Sequence, residues 1–312
     1  MVETYITDRG KINMKKYIVI CFLIVANLFW AGNYVFGKYV VAEMEPLQIT
    51  FSRWLLAVVL LFPIAQIIER PNWRMVWSKW RVLVPMAALG IIGYNFFLYI
   101  ALRYTTSLNA ALINSLNPAL IVLFSVIFLK ERLAKINTIG LILSLVGVLL
   151  ILTKGQLLQL FSNHYNGGDL LMLFVIVIWT VYSVLGRRLA GIPPISATAA
   201  SVLFGLIITL PFILVKGVHP PHSEQAILGI LYIGIFPSVG SFVFWNIAVS
   251  KIGASRAGIY LNLITVFTAI ISAFLGQSIT IIQVAGGLLV FLGVFLTSGK
   301  RLAADGRMKE AS

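Results

Sequence analysis

"FLKERLAK", Phe128 to Lys135, closes a long apolar stretch with Lys130, Glu131, Arg132 and Lys135. At a distance of 146 residues, "FLGQSITII", Phe274 to Ile282, opens on the same Phe-Leu pair and then stays neutral. One segment thus occurs twice, charged in one copy and uncharged in the other. The difference has a direct physical reading if the two helix ends are delivered to opposite sides of a membrane.

Composition supports the membrane. The chain has 312 residues, 60% hydrophobic and only 11% charged, with a mean hydropathy of +0.97. A soluble domain is roughly 45–50% apolar and about 25% charged, and it has nowhere to bury this excess. The formal net charge is +14, but the charges sit between apolar blocks rather than on one face, so no nucleic-acid partner is expected. The single cysteine, Cys21, lies inside an apolar block, so there is no disulfide framework. His164, His219 and His222 fall in polar linkers. "HPPH" offers two nitrogen ligands where a metal site needs three or four, so neither metal nor cofactor is expected. "MVETYITDRGKIN" precedes Met14-Lys15-Lys16, which resembles a natural start and makes residues 1–13 a short tail or an over-extended start. The apolar run that follows is too long for a signal peptide, lacks a small-residue cleavage site and is succeeded by more spans.

A spanning helix needs about 20 mainly apolar residues. Ten such stretches occur, at 17–39, 47–68, 82–102, 107–129, 136–153, 169–188, 195–216, 225–249, 255–277 and 280–299. "EMEP", "ERPNWR", "NHYNGGD" and "GIPP" mark breaks between them. With the N-terminus inside, 19 Lys and Arg residues fall on the inner side and 4 on the outer, Arg53 being within a span. The positive-inside rule then places both termini in the cytoplasm, in a cell membrane, the bacterial inner membrane being expected.

The halves match in order. Trp30 and Gly37 correspond to Trp179 and Gly186, and Pro46 and Pro63 to Pro194 and Pro211. Phe97 and Ala101 correspond to Phe244 and Ala248, and Gly140 and Gly147 to Gly286 and Gly293. The expected architecture is an all-α membrane protein of ten transmembrane helices, repeated as residues 17–153 and 169–299, with cytoplasmic tails at 1–16 and 300–312. Because five is odd, two such units must insert in opposite senses, and inverted repeats of this kind are a transporter signature. Charge inverts as required: the loops after spans two and four are basic, and those after spans seven and nine hold only Lys216.

"YIALRYTTSLNAALINSLNPAL" from Tyr99 and "FWNIAVSKIGASRAGIYLNLITVFTAI" from Phe244 read as two versions of one unit. With "FLKERL" closing span four, they make residues 17–299 resemble the EamA family of the drug/metabolite transporter superfamily. The resemblance implies a central cavity, alternating access and export of amino acids or small metabolites. Glu131 sits where that family usually has an acid ending span four, but its counterpart here is Gln277. An acid present in one half only, between basic neighbours, reads as a local ion-pair partner.

Polar side chains inside spans are costly and tend to face the bundle interior. Span four carries Asn114, Asn117 and Ser125 at helical spacing, with Pro118 freeing a backbone carbonyl. Span nine echoes this with Asn262, Thr265 and Thr268. The expected solute site draws on Trp30, Asn33 and Tyr34 of span one, Arg53 of span two, and Tyr94, Asn95 and Tyr99 of span three. It adds Asn114, Asn117, Trp179, Tyr182, Trp245, Asn246 and Asn262. The competing reading for each amide is an interhelical hydrogen bond, and for each aromatic ring packing or interfacial anchoring. Arg53 lies about 9 Å from the outer end of its span at ~1.5 Å per residue, where it snorkels, makes a structural bond or attracts a solute carboxylate. All ten acids fall in tails, loops or span ends, which disfavours an organic-cation antiporter. An intramembrane enzyme needs a nucleophile and base, a metal cluster or paired carboxylates, and the spans supply none. A non-transporting scaffold is the remaining alternative. The expected partners are a small solute and the lipid bilayer. The glycine pairs of spans five and ten predict close helix packing there.

Overall fold

The computed structural model describes residues 2–105, 107–130, 134–153, 155–158, 166–189, 191–276 and 280–299. Glu131, Arg132, His164, Gln277 and the 300–312 tail lie outside the described residues. Helices α1 (Val2–Glu43) and α2 (Pro46–Ile68) come first. Two short helices follow, α3 (Trp73–Ser78) and α4 (Trp80–Met86), then a π-helical segment Ala87–Gly93 and α5 (Tyr94–Tyr104). Next are α6 (Ser107–Asn114), α7 (Asn117–Leu129) and α8 (Lys135–Thr153). The second half holds α9 (Gly167–Leu185), a 3-10 turn Gly186–Leu189, α10 (Pro194–Lys216) and α11 (Glu224–Ile235). A second π segment, Phe236–Ser241, leads into α12 (Phe242–Ile252). It ends with α13 (Ala254–Ile259), a 3-10 turn Tyr260–Asn262, α14 (Leu263–Phe274) and α15 (Ile281–Gly299). No strand occurs among the described residues.

Seven helical stretches are long and apolar enough to cross a membrane: Tyr17–Glu43, Pro46–Ile68, Trp80–Tyr104, Gly167–Leu185, Pro194–Lys216, Glu224–Ile252 and Ala254–Phe274. Three more apolar helices are shorter, Asn117–Phe128, Lys135–Ile151 and Val284–Leu296. The fourth expected span is shortened by a break at Ser115–Leu116, and Pro118 sits in the first turn of α7, where its missing N–H breaks no helical bond. Asn114 and Asn117 therefore flank a break and do not share one continuous helix face. α1 runs unbroken from Val2, so residues 2–16 continue the helix of the first span.

The bundle is apolar outside and polar within. Leu214, Val215, Phe274, Ile281 and Phe295 are exposed, whereas Asn27, Asn33, Gln48, Arg53, Asn95 and Asn262 are buried. A solvent of lipid tails rewards this arrangement, and water would not.

The two halves repeat one another element by element. α2 and α10 each have 23 residues, open on Pro46 and Pro194 and carry Pro63 and Pro211 inside. Each third span is interrupted by a π segment, each fourth by a break or a 3-10 turn, and α8 and α15 both have 19 residues. Equivalent helices pack antiparallel. A Cβ on Gly147 would touch the Gly286 carbonyl, and one on Gly293 the Gly140 carbonyl, so α8 and α15 run past each other in opposite directions. α2 and α10 do the same. Gln48 near the start of α2 donates to Gly217 O at 3.0 Å, beyond the end of α10. Glu69, after the end of α2, accepts from the Ile195 and Ser196 N–H groups at 2.8 Å and caps α10.

Candidate functional site

Arg70 follows Glu69, which caps the start of α10, and Lys251 lines a cavity with Pro194 at that same helix start, so these cations mark one end of the bundle, the basic end. At this end a cavity of about 630 Å³ opens between α9, α10 and α12, with Met86 of α4 on its wall. Tyr182, Ser183, Thr198, Trp245 and Asn246 line it, together with Ala197, Val249 and Lys251. Among the described lining residues there is no carboxylate, and the charged group is the Lys251 ammonium. Asn246 Nδ2 donates to Thr198 Oγ1 at 2.8 Å and to the Tyr182 hydroxyl at 3.1 Å, which ties α12 to α9 and α10.

The centre of the bundle is closed by aromatic rings. Trp30 meets Trp179 edge-on at 5.1 Å, Trp245 at 5.6 Å and Phe242 at 6.0 Å. Trp179 also contacts Tyr94 at 4.8 Å and Tyr182 at 5.1 Å, and Trp54 meets Phe242 at 4.9 Å. Trp30 and Trp179, equivalent in the repeat, thus touch each other at the seam of the halves. The Trp179 and Trp245 indole N–H groups and the Ser183 hydroxyl are buried without a hydrogen-bond partner. An indole N–H can only donate, so the indoles call for an acceptor.

Beyond the aromatic plug lies the network around Arg53, whose side chain is 1% exposed and turned inward, not snorkelled to the surface. Its Nε donates to Ser238 Oγ at 2.8 Å, and Nη1 donates to Asn95 Oδ1 at 2.5 Å and the Tyr99 hydroxyl at 2.7 Å. The guanidinium lies 5.1 Å from the Trp54 ring centroid. Both π segments supply the framework. Asn95 Nδ2 donates to the Gly90 and Ile91 carbonyls at 2.9 Å, Trp54 Nε1 donates to Ile91 O at 2.8 Å, and Ser238 Oγ donates to Ile233 O at 2.6 Å. A π segment misaligns the usual ladder and leaves carbonyls free for such bonds. Tyr99 passes the chain on to Asn33 Oδ1 at 2.9 Å, and Tyr34 is hydrogen-bonded to Tyr94.

At the opposite end a smaller opening of about 300 Å³ is lined by Glu45, Gln48, Phe96, Ile100, Arg103 and Lys216, among others. Polar ties cross this end of the bundle. Arg103 pairs with Glu45 at 3.1 Å and donates to Met44 O at 3.0 Å. Lys38 Nζ reaches the Leu102 and Thr105 carbonyls at 2.5 and 2.8 Å. Glu43 accepts from the His222 N–H at 2.7 Å and from the Ser223 hydroxyl.

The expected site residues fall into three groups. Trp30, Trp179, Tyr182, Trp245 and Asn246 gather at the cavity and its floor, and Asn33, Tyr34, Arg53, Tyr94, Asn95 and Tyr99 form the network behind it. Asn114, Asn117 and Asn262 do not line the cavity. Asn117 accepts from Thr180 Oγ1 at 3.1 Å, and Asn262 Nδ2 donates to Ser144 Oγ of α8 at 2.8 Å. Those two amides join helices. Sequence reading missed Ser183 and Thr198 as cavity residues, the signal being their place one residue after Tyr182 and four after Pro194.

The model of the EamA-like transporter family matches residues 17–153 and 166–299. The chain is 30% identical over 290 residues to an uncharacterized transporter, YyaM, of Bacillus subtilis, covering 92% of this chain and 95% of that one. It is 30% identical over 296 residues to an uncharacterized transporter of Archaeoglobus fulgidus, covering 93% and 99%. An aromatic amino acid exporter, YddG, of Ancylobacter novellus is 32% identical over 163 residues, 52% of this chain and 56% of that one. A solved crystal structure matches with a TM-score of 0.73 at 22% identity, over 92% of this chain and 98% of that chain.

Proposed function

Because this chain belongs to the EamA-like transporter family, we propose that it exports amino acids or related small metabolites by alternating access through the cavity at its basic end. The bundle is read as ten spanning helices in two inverted five-helix repeats, residues 17–153 and 169–299, with residues 300–312 as a tail. Basic residues collect on the cytoplasmic side, so the basic end faces the cytoplasm of a bacterial inner membrane and the cavity receives solute from within.

The observation that carries this reading is the pair of unequal openings. Pro194, Ala197, Val249 and Ser250 line one, and Pro46, Gln48, Leu47 and Arg103 line the other, so equivalent helix ends build both. The first reaches inward to Trp245 and Asn246, whereas the second stops at Phe96, Ile100 and Arg103 and leaves the equivalent Leu98 and Tyr99 buried. Equivalent helix ends, of which one set opens to the bundle interior and the other does not, are what alternating access requires, and a scaffold gains nothing from them.

The cavity chemistry narrows the solute. Aromatic walls suit a flat apolar group, and the unpartnered donors of Trp245 and Ser183 suit an acceptor oxygen such as a carboxylate. No carboxylate is among the described lining residues, which disfavours an organic cation. Aromatic amino acids fit both requirements, in line with the exporter matched over 52% of the chain. Overexpression should raise tolerance to toxic aromatic amino acid analogues and lower the cellular pool of the exported solute. Unchanged tolerance across a broad amino acid panel, or increased sensitivity through uptake, would overturn the proposal.

A further inference from the structure

The two halves make the same tie with its partners exchanged. With Trp30 set against Trp179, Asn33 corresponds to Tyr182, and with Ala101 set against Ala248, Tyr99 corresponds to Asn246. In the first half the Tyr99 hydroxyl donates to Asn33 Oδ1 at 2.9 Å. In the second, Asn246 Nδ2 donates to the Tyr182 hydroxyl at 3.1 Å. Each tie joins the first and third spans of its own repeat. The Tyr182–Asn246 tie lies in the wall of the 630 Å³ cavity, whereas Tyr99 and Asn33 are buried and line neither opening.

What differs is the residue behind the tie. Arg53 and Ser201 are each the eighth residue of their 23-residue helices, counted from Pro46 and Pro194. Arg53 bonds Tyr99 and Asn95 in its own repeat and Ser238 in the other. Ser201 is 2% exposed and its hydroxyl has no partner. The first tie is therefore fastened across the repeat seam by charge-assisted bonds, and the second is not. A guanidinium gives up such bonds reluctantly in a dry interior, because it cannot exchange them for water. Opening the Tyr99 side must disturb that network, while opening the Tyr182 side leaves it intact.

We propose that Arg53 is the positioning residue that holds the non-basic end shut and so sets the transporter's resting orientation, with the cavity open at the basic end. The proposal rests on the alternating-access reading. It predicts that the Arg53/Ser201 difference, not the shared tie, decides which side stands open.

The test is cysteine reactivity in lipid nanodiscs, where both faces meet the reagent and no solute is needed. In a Cys21→Ser background, Ala197→Cys reports on the cavity and Ile100→Cys on the opposite opening. Before any further change, a bulky maleimide should modify Ala197→Cys much faster than Ile100→Cys. Arg53→Ser should raise the Ile100→Cys rate about tenfold or more, the weight of one charge-assisted hydrogen bond, and slow the Ala197→Cys rate. Arg53→Lys should restore part of the ratio, and adding Ser201→Arg to Arg53→Ser should carry it further toward the opposite end. Tyr99→Phe, which keeps Arg53 but removes an acceptor, should move Ile100→Cys in the same direction, whereas Tyr182→Phe should not. Unchanged ratios in monodisperse Arg53→Ser protein would overturn the proposal. If that variant does not fold, an unreactive Ile100→Cys in Tyr99→Phe would overturn it. A shift in labelling without any transported solute would instead strike the transport reading alone.

Discussion

Replacing Gly286 by alanine at the α8–α15 crossing puts the antiparallel packing of the repeats to a test of sign. An alanine Cβ there would lie 2.6 Å from Gly147 O and 2.9 Å from Ile151 Cγ1, closer than the 3.0 Å below which real Cβ contacts essentially never fall. The nearest atom is backbone, so no rotamer change relieves it and the helices must part by about half an ångström in an interior packed like a crystal. A gap of that size forfeits about a quarter or more of each contact along the seam. Overpacking of this kind costs about 1–3 kcal/mol. Alanine in place of a helical glycine returns about 0.8–1 kcal/mol of propensity. The net expectation is a loss of about 1 kcal/mol, where a free helix surface would give a gain of similar size. Gly293→Ala should behave alike, since its Cβ would lie 2.8 Å from Ser144 N. Because one separation relieves both clashes, the double variant should lose less than the sum, with a coupling of about 0.5 kcal/mol or more. Gly167→Ala, with nothing within 4 Å, is the control and should lose nothing. Unfolding in mixed micelles titrated with a denaturing detergent reads all four. A stabilised Gly286→Ala, or strict additivity in the double variant, would refute the close antiparallel crossing.

Three other substitutions test separate parts of the account. Asn95→Ala removes one of the two acceptors of Arg53 Nη1 and the donor to two π-segment carbonyls, and thermal unfolding in detergent should register a loss of about 1–3 kcal/mol. Glu69→Ala deletes the cap that receives the Ile195 and Ser196 N–H groups, and should lower stability by about 1 kcal/mol in the same assay. Glu45→Gln breaks an ion pair whose side chains are 32% and 61% exposed. It should change stability by less than about 1 kcal/mol, and a larger change would mean that this pair is more than a surface contact.

The fold class was legible because lipid imposes length and composition together: only helices of about 20 apolar residues satisfy both. The proline and glycine correspondences between the halves, Pro63 with Pro211 and Gly147 with Gly293, were legible because those residues mark backbone events that duplication copies. The π segments were not, since seven residues at Ala87–Gly93 and six at Phe236–Ser241 shift the ladder without changing hydropathy. Pro85 and Pro237 were the only local hints. Polarity alone could not sort the amides either. Asn246 faces the cavity and Asn262 fastens α8 by the same chemistry, and only the neighbouring helix decides which. Arg53 was visible as a cation about 9 Å deep, but its direction depended on acceptors from two other elements.

The central claim is that solute passes through the cavity bounded by Tyr182, Trp245 and Asn246. Counterflow in liposomes holding the purified protein tests it most directly, with a radiolabelled aromatic amino acid outside and the same unlabelled solute inside. The account predicts accumulation well above empty liposomes, and its loss in Asn246→Leu, which removes the bonds to Tyr182 and Thr198, while the purified variant remains monodisperse. Accumulation in Asn246→Leu equal to that of the unaltered protein would contradict the account.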